Sequence, residues 1–172
     1  WLKHTEEFAN KAIEKFRLDE NNQIIEIASN DGYLLRHFKN KNIPILGIEP
    51  ASNISKIAEE RGIKTINKFF GIKTANELKM GGYGAELKQN GYNADLLIAI
   101  NVLPHVPNIK DFVEGIKIIL NKNGICMIQF STYMLPFIHD TEFDSIYHEH
   151  FSYFSLLSIQ KILNNFKLII FD

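Results

Sequence analysis

Hydrophobic positions along the chain switch repeatedly between a helical and a strand period. From residue 3 to residue 17, Phe8, Ala12, Ile13 and Phe16 recur at helical spacing while Glu6, Glu7, Lys11, Glu14 and Lys15 take the other face, which predicts a surface helix packed on a core. Leu18 to Asn22 reads as a turn, and Ile24 to Ala28 is a β-branched run long enough for a buried strand. Ser29-Asn30-Asp31-Gly32 closes that strand with turn and N-cap chemistry, so a helix is expected from about Tyr33. The rhythm repeats with a strand over 43–49, a helix over 52–60 stopped by Arg61-Gly62, and a strand over 64–70. Residues 75–92 read as a helix, a break at Gly81-Gly82-Tyr83-Gly84 and a second helical piece. Leu96 to Ile100 is the most apolar strand and belongs near the middle of a parallel sheet. A helix over 109–120 carries Phe112, Val113, Ile116, Ile119 and Leu120 on one stripe, Asn121 to Gly124 ends it, and a strand follows over 125–130. Residues 131–144 form a long mixed connection, 156–163 a short helix and 167–171 a last strand.

Alternating strands and helices with apolar strands predict an α/β architecture: a Rossmann-like, mostly parallel sheet with helices on both faces. Ligands bind such sheets outside the carboxyl ends of the strands, near the point where strand order reverses. The loops to examine are therefore 28–33, 49–53, 70–74, 101–106 and 130–150. The 172 residues suit a single domain over 1–172 and not two substantial ones. Nineteen Lys and Arg against twenty Asp and Glu leave a charge of −1, which gives no general attraction to nucleic acid. No run of apolar residues is long enough to span a bilayer. A single Cys126 forms no internal disulfide and no cysteine zinc site, so a reducing, cytoplasmic compartment is expected. Cys126 itself reads as a small buried hydrophobe. The start at Trp1, without Met or a signal segment, predicts a piece of a longer chain.

Two strand ends carry candidate chemistry. A dinucleotide fingerprint fails after the first strand, because Tyr33 stands where the third glycine belongs. An acidic-x-Gly-x-Gly-x-Gly pattern fits in degenerate form: Glu26 is acidic, Ala28 and Asn30 replace two glycines, and Gly32 keeps the last. An Asx-turn capping a helix is the alternative for this segment. Glu49, in Gly47-Ile48-Glu49-Pro50, lies where α/β cofactor domains hold ribose hydroxyls, or else is a solvated strand-end acid. The two signals in consecutive strand ends favour a nucleoside site.

Glu26 to Leu35, Gly47 to Pro50, Asn101-Val102-Leu103-Pro104-His105-Val106 and Phe143-Asp144-Ser145-Ile146-Tyr147-His148-Glu149-His150-Phe151-Ser152-Tyr153-Phe154 together resemble the S-adenosylmethionine-dependent C-methyltransferases that modify nucleotide-linked keto-deoxysugars. The likeness runs over nearly the whole chain, and its last motif is the most specific. It implies a class I methyltransferase sheet and S-adenosyl-L-methionine as cofactor. Glu26, Ala28, Ser29, Asn30 and Gly32 would then face the methionine and ribose end, and Glu49 with Pro50 the ribose hydroxyls. Asn101 and the following loop with His105 would border the sulfonium, and Phe69 or Phe70 would flank the adenine. By the same likeness Tyr147 and His150 are the acid/base candidates and Glu149 their supporting carboxylate. It further implies a zinc-binding segment before this region and another domain after it, neither within these residues. Six strand candidates are one fewer than the family's seven, and Gln129 stands where relatives often have an acid.

The chemistry of that last motif is independently suited to carbon methylation. Transfer next to a carbonyl needs a base for the α-proton and a donor for the enolate oxygen, tasks that histidine and tyrosine perform near neutrality. Alternation in an extended segment would separate Tyr147 and Glu149 from His148 and His150, whereas a turn would converge them. His148-Glu149-His150 matches no usual zinc spacing, so no metal is expected. The competing reading is an aromatic core segment whose histidines satisfy backbone carbonyls, and His105 is open to the same reading. Two further functions stay open: an O- or N-methyltransferase of another small molecule, and a non-catalytic interaction module. The partner expected is a small molecule, with neither nucleic acid nor membrane; the sugar, the carbon methylated, the stereochemistry and the oligomeric state are not fixed.

Overall fold

The computed structural model describes residues 2–81, 91–130 and 146–172. Helix α1 (Leu2–Phe16) leads into β1 (Ile24–Ile27), α2 (Leu35–Lys39), β2 (Ile45–Ile48), α3 (Ser52–Glu60), β3 (Thr65–Ile66) and α4 (Ile72–Lys79). After the crossover come β4 (Ala94–Ile100), a 3₁₀ turn (Leu103–His105), α5 (Ile109–Ile119), β5 (Leu120–Gln129) and α6 (Leu156–Asn165). The strands form one sheet of order β3-β2-β1-β4-β5, and every pairing is parallel. The Rossmann-like α/β class expected from the alternation is the fold observed.

Strand alternation divides the interior into two layers. Ile25, Ile27, Leu97 and Ala99 face a cluster built with Ala75 and Leu78 of α4, Phe112 and Ile116 of α5, and Ile159 and Leu163 of α6. Ile24, Leu96 and Ile98 face the other cluster, with Ala9 and Ala12 of α1, Leu35 and Phe38 of α2, and Ala58 of α3. β1 and β4 are central, so both of their faces are covered and their residues are buried almost without exception. The chain runs outward from β1 to β3 and returns to β4 on the other side of β1. That reversal opens a crevice at the carboxyl ends of β1 and β4.

Several boundaries differ from the sequence reading. α2 begins at Leu35, since Gly32 to Leu34 are spent on the turn after β1. β3 is only two residues long, and α4 starts at Ile72 instead of Ala75. The second helical piece expected after the glycines lies outside the described residues, as does the connection over 131–144. Asn121 to Gly124 is strand and not a helix stop: Leu120 is already extended, and a register shift between Ala94 and Leu96 accommodates the extra residues. Lys167 to Phe171 is not a strand. Lys167 takes φ 62° at the end of α6, and Leu168 and Ile170 then pack on the core beside an apolar cleft along β5 without a backbone ladder. The sheet therefore has five strands among the described residues instead of six. No helix in them is long and apolar enough to cross a membrane.

Candidate functional site

The turn after β1 is built from left-handed backbone. Ala28 (φ 53°), Asn30 (φ 51°) and Gly32 (φ 76°) alternate with residues on the ordinary side, so the chain turns sharply between β1 and α2. Only glycine takes this conformation without cost, so Ala28 holds strain of about 1–3 kcal/mol that the surroundings must impose. Asn30 is tolerant of it, and its Nδ2 donates to the Ala28 carbonyl at 3.0 Å. Gly32 is also sterically required, because a Cβ there would meet Ile63 Cγ1 at 2.6 Å.

β1 and β2 are in register from Ile24/Ile45 to Ile27/Ile48, which brings Glu49 beside this turn. Glu49 is buried, with one oxygen accepting the Asn30 N–H at 3.0 Å and the other the Ala51 N–H at 2.8 Å. Each oxygen keeps further acceptor capacity. Asn67 Nδ2 donates to the carbonyls of Glu49 and Pro50, both at 2.8 Å, and so fixes the chain after β2 from the side of β3. Gly47 allows β2 to lie against the turn, since a Cβ would come within 2.4 Å of Ser29 Oγ. The solvated strand-end reading of Glu49 is thereby excluded.

Glu26 lies at the heart of this region and is 1% exposed. Burial, followed by the nearby Glu49 and Asp31 carboxylates, holds its carboxyl well above the ordinary range. Its Oε2 and the Ser29 hydroxyl oxygen are buried with no hydrogen-bond partner. An orphaned buried polar atom costs about 1–3 kcal/mol, and one of acidic type favours a cationic or hydrogen-donating ligand. The Tyr33 hydroxyl is raised in the same way, by burial and then by Glu26 and Asp31. Asp31 pairs with Arg61 on the outside of the turn.

The other wall follows β4. Asn101 is exposed at φ 55°, with its N–H on the Gln129 carbonyl at 2.7 Å, and the chain then enters the 3₁₀ turn. Residues 146–151 dock on that turn: Phe151 N–H donates to the Pro104 carbonyl at 2.9 Å, and His105 Nδ1 lies 3.0 Å from the Glu149 carbonyl. A bond from His150 N–H to the Tyr147 carbonyl closes a turn, which converges side chains that an extended segment would have separated. Ring centroids of Tyr147 and His150 stand 4.2 Å apart, those of His105 and His150 4.8 Å, and those of His150 and Tyr153 6.0 Å. The Glu149 carboxylate is largely exposed, 4.0 Å from His148 Nε2, so its contact with the cluster is through the main chain.

Phe69 and Phe70 separate clearly. Phe70 packs edge-on against Phe112 at 5.6 Å and belongs to the core, while Phe69 is 82% exposed beyond β3 and free to cover a ligand. Desolvation pushes the Cys126 thiol up to about 12, against a nucleophile, although the residue is half-buried along the cleft beside β5 and not fully buried as expected. Among the described residues no three His, Cys, Asp or Glu side chains are grouped as metal ligands. The sequence reading did not include Asn67 or the requirement at Gly47. Only the small residue before Ile48-Glu49 hinted at the second, and nothing marked an asparagine 18 residues beyond the acid.

The family model described as a methyltransferase domain matches residues 1–169. C-methyltransferase NovU of Streptomyces niveus is 26% identical over 171 residues, which are 99% of this chain and 38% of that protein; the chain thus spans well under half the length of that relative. Among solved structures, the magnesium protoporphyrin IX methyltransferase ChlM of Synechocystis with bound SAH superposes with a TM-score of 0.68 at 11% identity, over 96% of this chain and 72% of that one. A SAM-dependent methyltransferase of Archaeoglobus fulgidus gives 0.67 at 13% identity, over 96% and 68%. With a match across nearly its whole length, the chain belongs to the methyltransferase-domain family, and it has the Rossmann-like fold of S-adenosylmethionine-dependent methyltransferases.

Proposed function

We propose that this domain binds S-adenosyl-L-methionine at the crevice between β1 and β4 and serves carbon methylation of a nucleotide-linked keto-sugar through an enolate. The observation that carries the reading is the buried Glu49 carboxylate held against the left-handed turn 28–32, on the sheet edge that also bears the Tyr147–His150 pair. The residues fit the cofactor. Glu49 retains acceptor capacity for ribose hydroxyls, Phe69 offers an exposed ring for the adenine, and the orphaned Glu26 carboxyl suits a ligand that carries an ammonium and a sulfonium. Asn101 and the turn after it border the same crevice.

When bound, the cofactor supplies an electrophilic methyl group. His150 takes the proton from the carbon next to the substrate carbonyl, and Tyr147 donates a hydrogen bond to the oxygen on which enolate charge develops. The ring contacts around His150 limit the rotation of its imidazole. The C-methyltransferase relative and the Tyr-x-Glu-His motif support carbon as the acceptor.

The test is calorimetric titration with S-adenosylhomocysteine of the folded protein and of Glu49→Ala. Binding that the variant loses is the expected result; no binding by folded wild type, or equal binding by the variant, overturns the reading. Solvent exchange of a substrate C–H proton supports carbon chemistry, and transfer without exchange points to oxygen or nitrogen as acceptor.

A further inference from the structure

We propose that His105 is a positioning residue, whose Nδ1–H clamps the Tyr147–His150 turn onto the carboxyl end of β4. The inference rests on Tyr147 and His150 being the acid/base pair. The partner of Nδ1 is the Glu149 carbonyl oxygen at 3.0 Å, which can only accept, so the proton belongs on Nδ1. That bond selects one tautomer of His105 and leaves Nε2 as the unprotonated nitrogen of the neutral ring.

The clamp has two points. Phe151 N–H on the Pro104 carbonyl ties the chain just after His150, and His105 Nδ1–H ties the residue just before it. His150 is thus bracketed by two bonds to neighbouring residues of one 3₁₀ turn, Pro104 and His105, and that turn is anchored by the buried Leu103 and Pro104. The His105 ring also stands against His150 itself, at 4.8 Å and 62° between planes, which limits the rotation of the imidazole that must face the substrate. The turn 146–150 contributes little burial of its own: Ile146 to Glu149 are all exposed. Without the His105 bond, one of the two hydrogen bonds that tie this segment to the 3₁₀ turn is lost, and a displacement near 1 Å at a reacting group costs on the order of 10²-fold in rate.

The side-chain amide of asparagine carries an N–H close to where Nδ1–H lies in histidine, while leucine has none. The test therefore compares His105→Asn with His105→Leu in the full-length protein. Long-range ¹H–¹⁵N spectra of the histidine rings should show His105 as the Nδ1–H tautomer. Hydrogen exchange of the Phe151 amide should accelerate about 10-fold or more in His105→Leu and return toward wild type in His105→Asn. Transfer to a nucleotide-linked keto-deoxysugar should lose on the order of 10-fold or more in kcat with little change in KM for His105→Leu, and His105→Asn should recover most of it. An Nε2–H tautomer, unchanged Phe151 exchange, or equal rates in wild type and both variants overturns the assignment. If wild type neither binds S-adenosylhomocysteine nor transfers methyl, the proposed function fails, and the spectra and exchange rates still decide whether the clamp exists.

Discussion

Glu49 Oε2 accepts the N–H of Asn30 at 3.0 Å, so the acid at the end of β2 shapes the turn at the end of β1. The same carboxylate holds Ala51 N–H with its other oxygen, just ahead of α3. One buried side chain thus joins two loops of the crevice, and the strained φ of Ala28 persists inside that frame.

Removing this carboxylate has separable consequences. In Glu49→Ala the Asn30 and Ala51 N–H groups lose their acceptor, which is expected to cost about 1–3 kcal/mol of stability by urea denaturation. Glu49→Gln should be better tolerated in fold but still poor in binding, because its amide presents a donor to one of those two N–H groups. S-adenosylhomocysteine affinity should fall about 10-fold or more in both variants, as measured by calorimetry. Wild-type affinity in Glu49→Gln would show that charge at this position is irrelevant to the ligand.

Gly32 and Gly62 offer a matched comparison, since both have φ near 75°. At Gly32 an added Cβ runs into the branched Ile63 side chain at 2.6 Å, within a layer where Ile63 is 1% exposed. At Gly62 the nearest atom is Lys39 Nζ, the end of a flexible chain that swings away. Gly32→Ala should therefore destabilise by about 2 kcal/mol or more and Gly62→Ala by about 1 kcal/mol, chiefly from strain, since the Lys39 bond to the Gly62 carbonyl that moves with it is exposed. Measured against Ile63→Ala alone, Gly32→Ala should cost less than it does in wild type, keeping the backbone strain but losing the clash, and urea midpoints of the five proteins read both terms.

The legibility of the fold followed burial. β1 and β4 are covered on both faces, so their apolar runs were unmistakable; α1 and α3 were readable because one face is polar. Lys167 to Phe171 misled because Leu-Ile-Ile-Phe is as apolar as a strand, yet a strand needs a hydrogen-bonding partner, which composition does not encode. Asn121 to Gly124 misled for the reverse reason: polar turn residues entered a strand through a register shift set by pairing with β4. At the candidate site, the structural parts of Glu26, Glu49 and Gly32 were legible because their residue types answer local demands of a strand end. The role of Asn67 and the His105–Glu149 contact depend on segments 18 and 44 residues apart along the chain, and no local pattern carries such contacts.

Glu26 makes stability fall as pH rises. Its folded carboxyl is held above the ordinary range, so between that range and the folded value the native state binds more protons than the unfolded chain. Stability from this group is fully present below the ordinary carboxyl range and is lost as pH rises through the folded value. Glu26→Gln removes the linkage: its stability curve should lack this decline, and at neutral pH the variant should equal or exceed wild type. Urea unfolding between pH 4 and pH 8 measures the slopes, and identical slopes would show that the two states do not differ in protonation at this site.

His150 and Tyr147 are the sharpest test of the proposed chemistry, because their ring centroids lie 4.2 Å apart while the tasks proposed for them differ. His150→Ala removes the proposed base, and both proton exchange at the substrate carbon and methyl transfer should fall by on the order of 10²-fold or more. Tyr147→Phe keeps the ring packed against His150 and removes only the hydroxyl, so the enolate oxygen loses a donor and transfer should again fall on the order of 10²-fold. Neither residue is among those around Glu49, so S-adenosylhomocysteine affinity should stay nearly unchanged. Exchange of the substrate C–H in deuterated solvent then assigns the roles. Abolished exchange with His150→Ala and residual exchange with Tyr147→Phe fits a base and an oxyanion donor; the opposite pattern would make Tyr147 the base, and undiminished rates in both would remove the pair from the reaction.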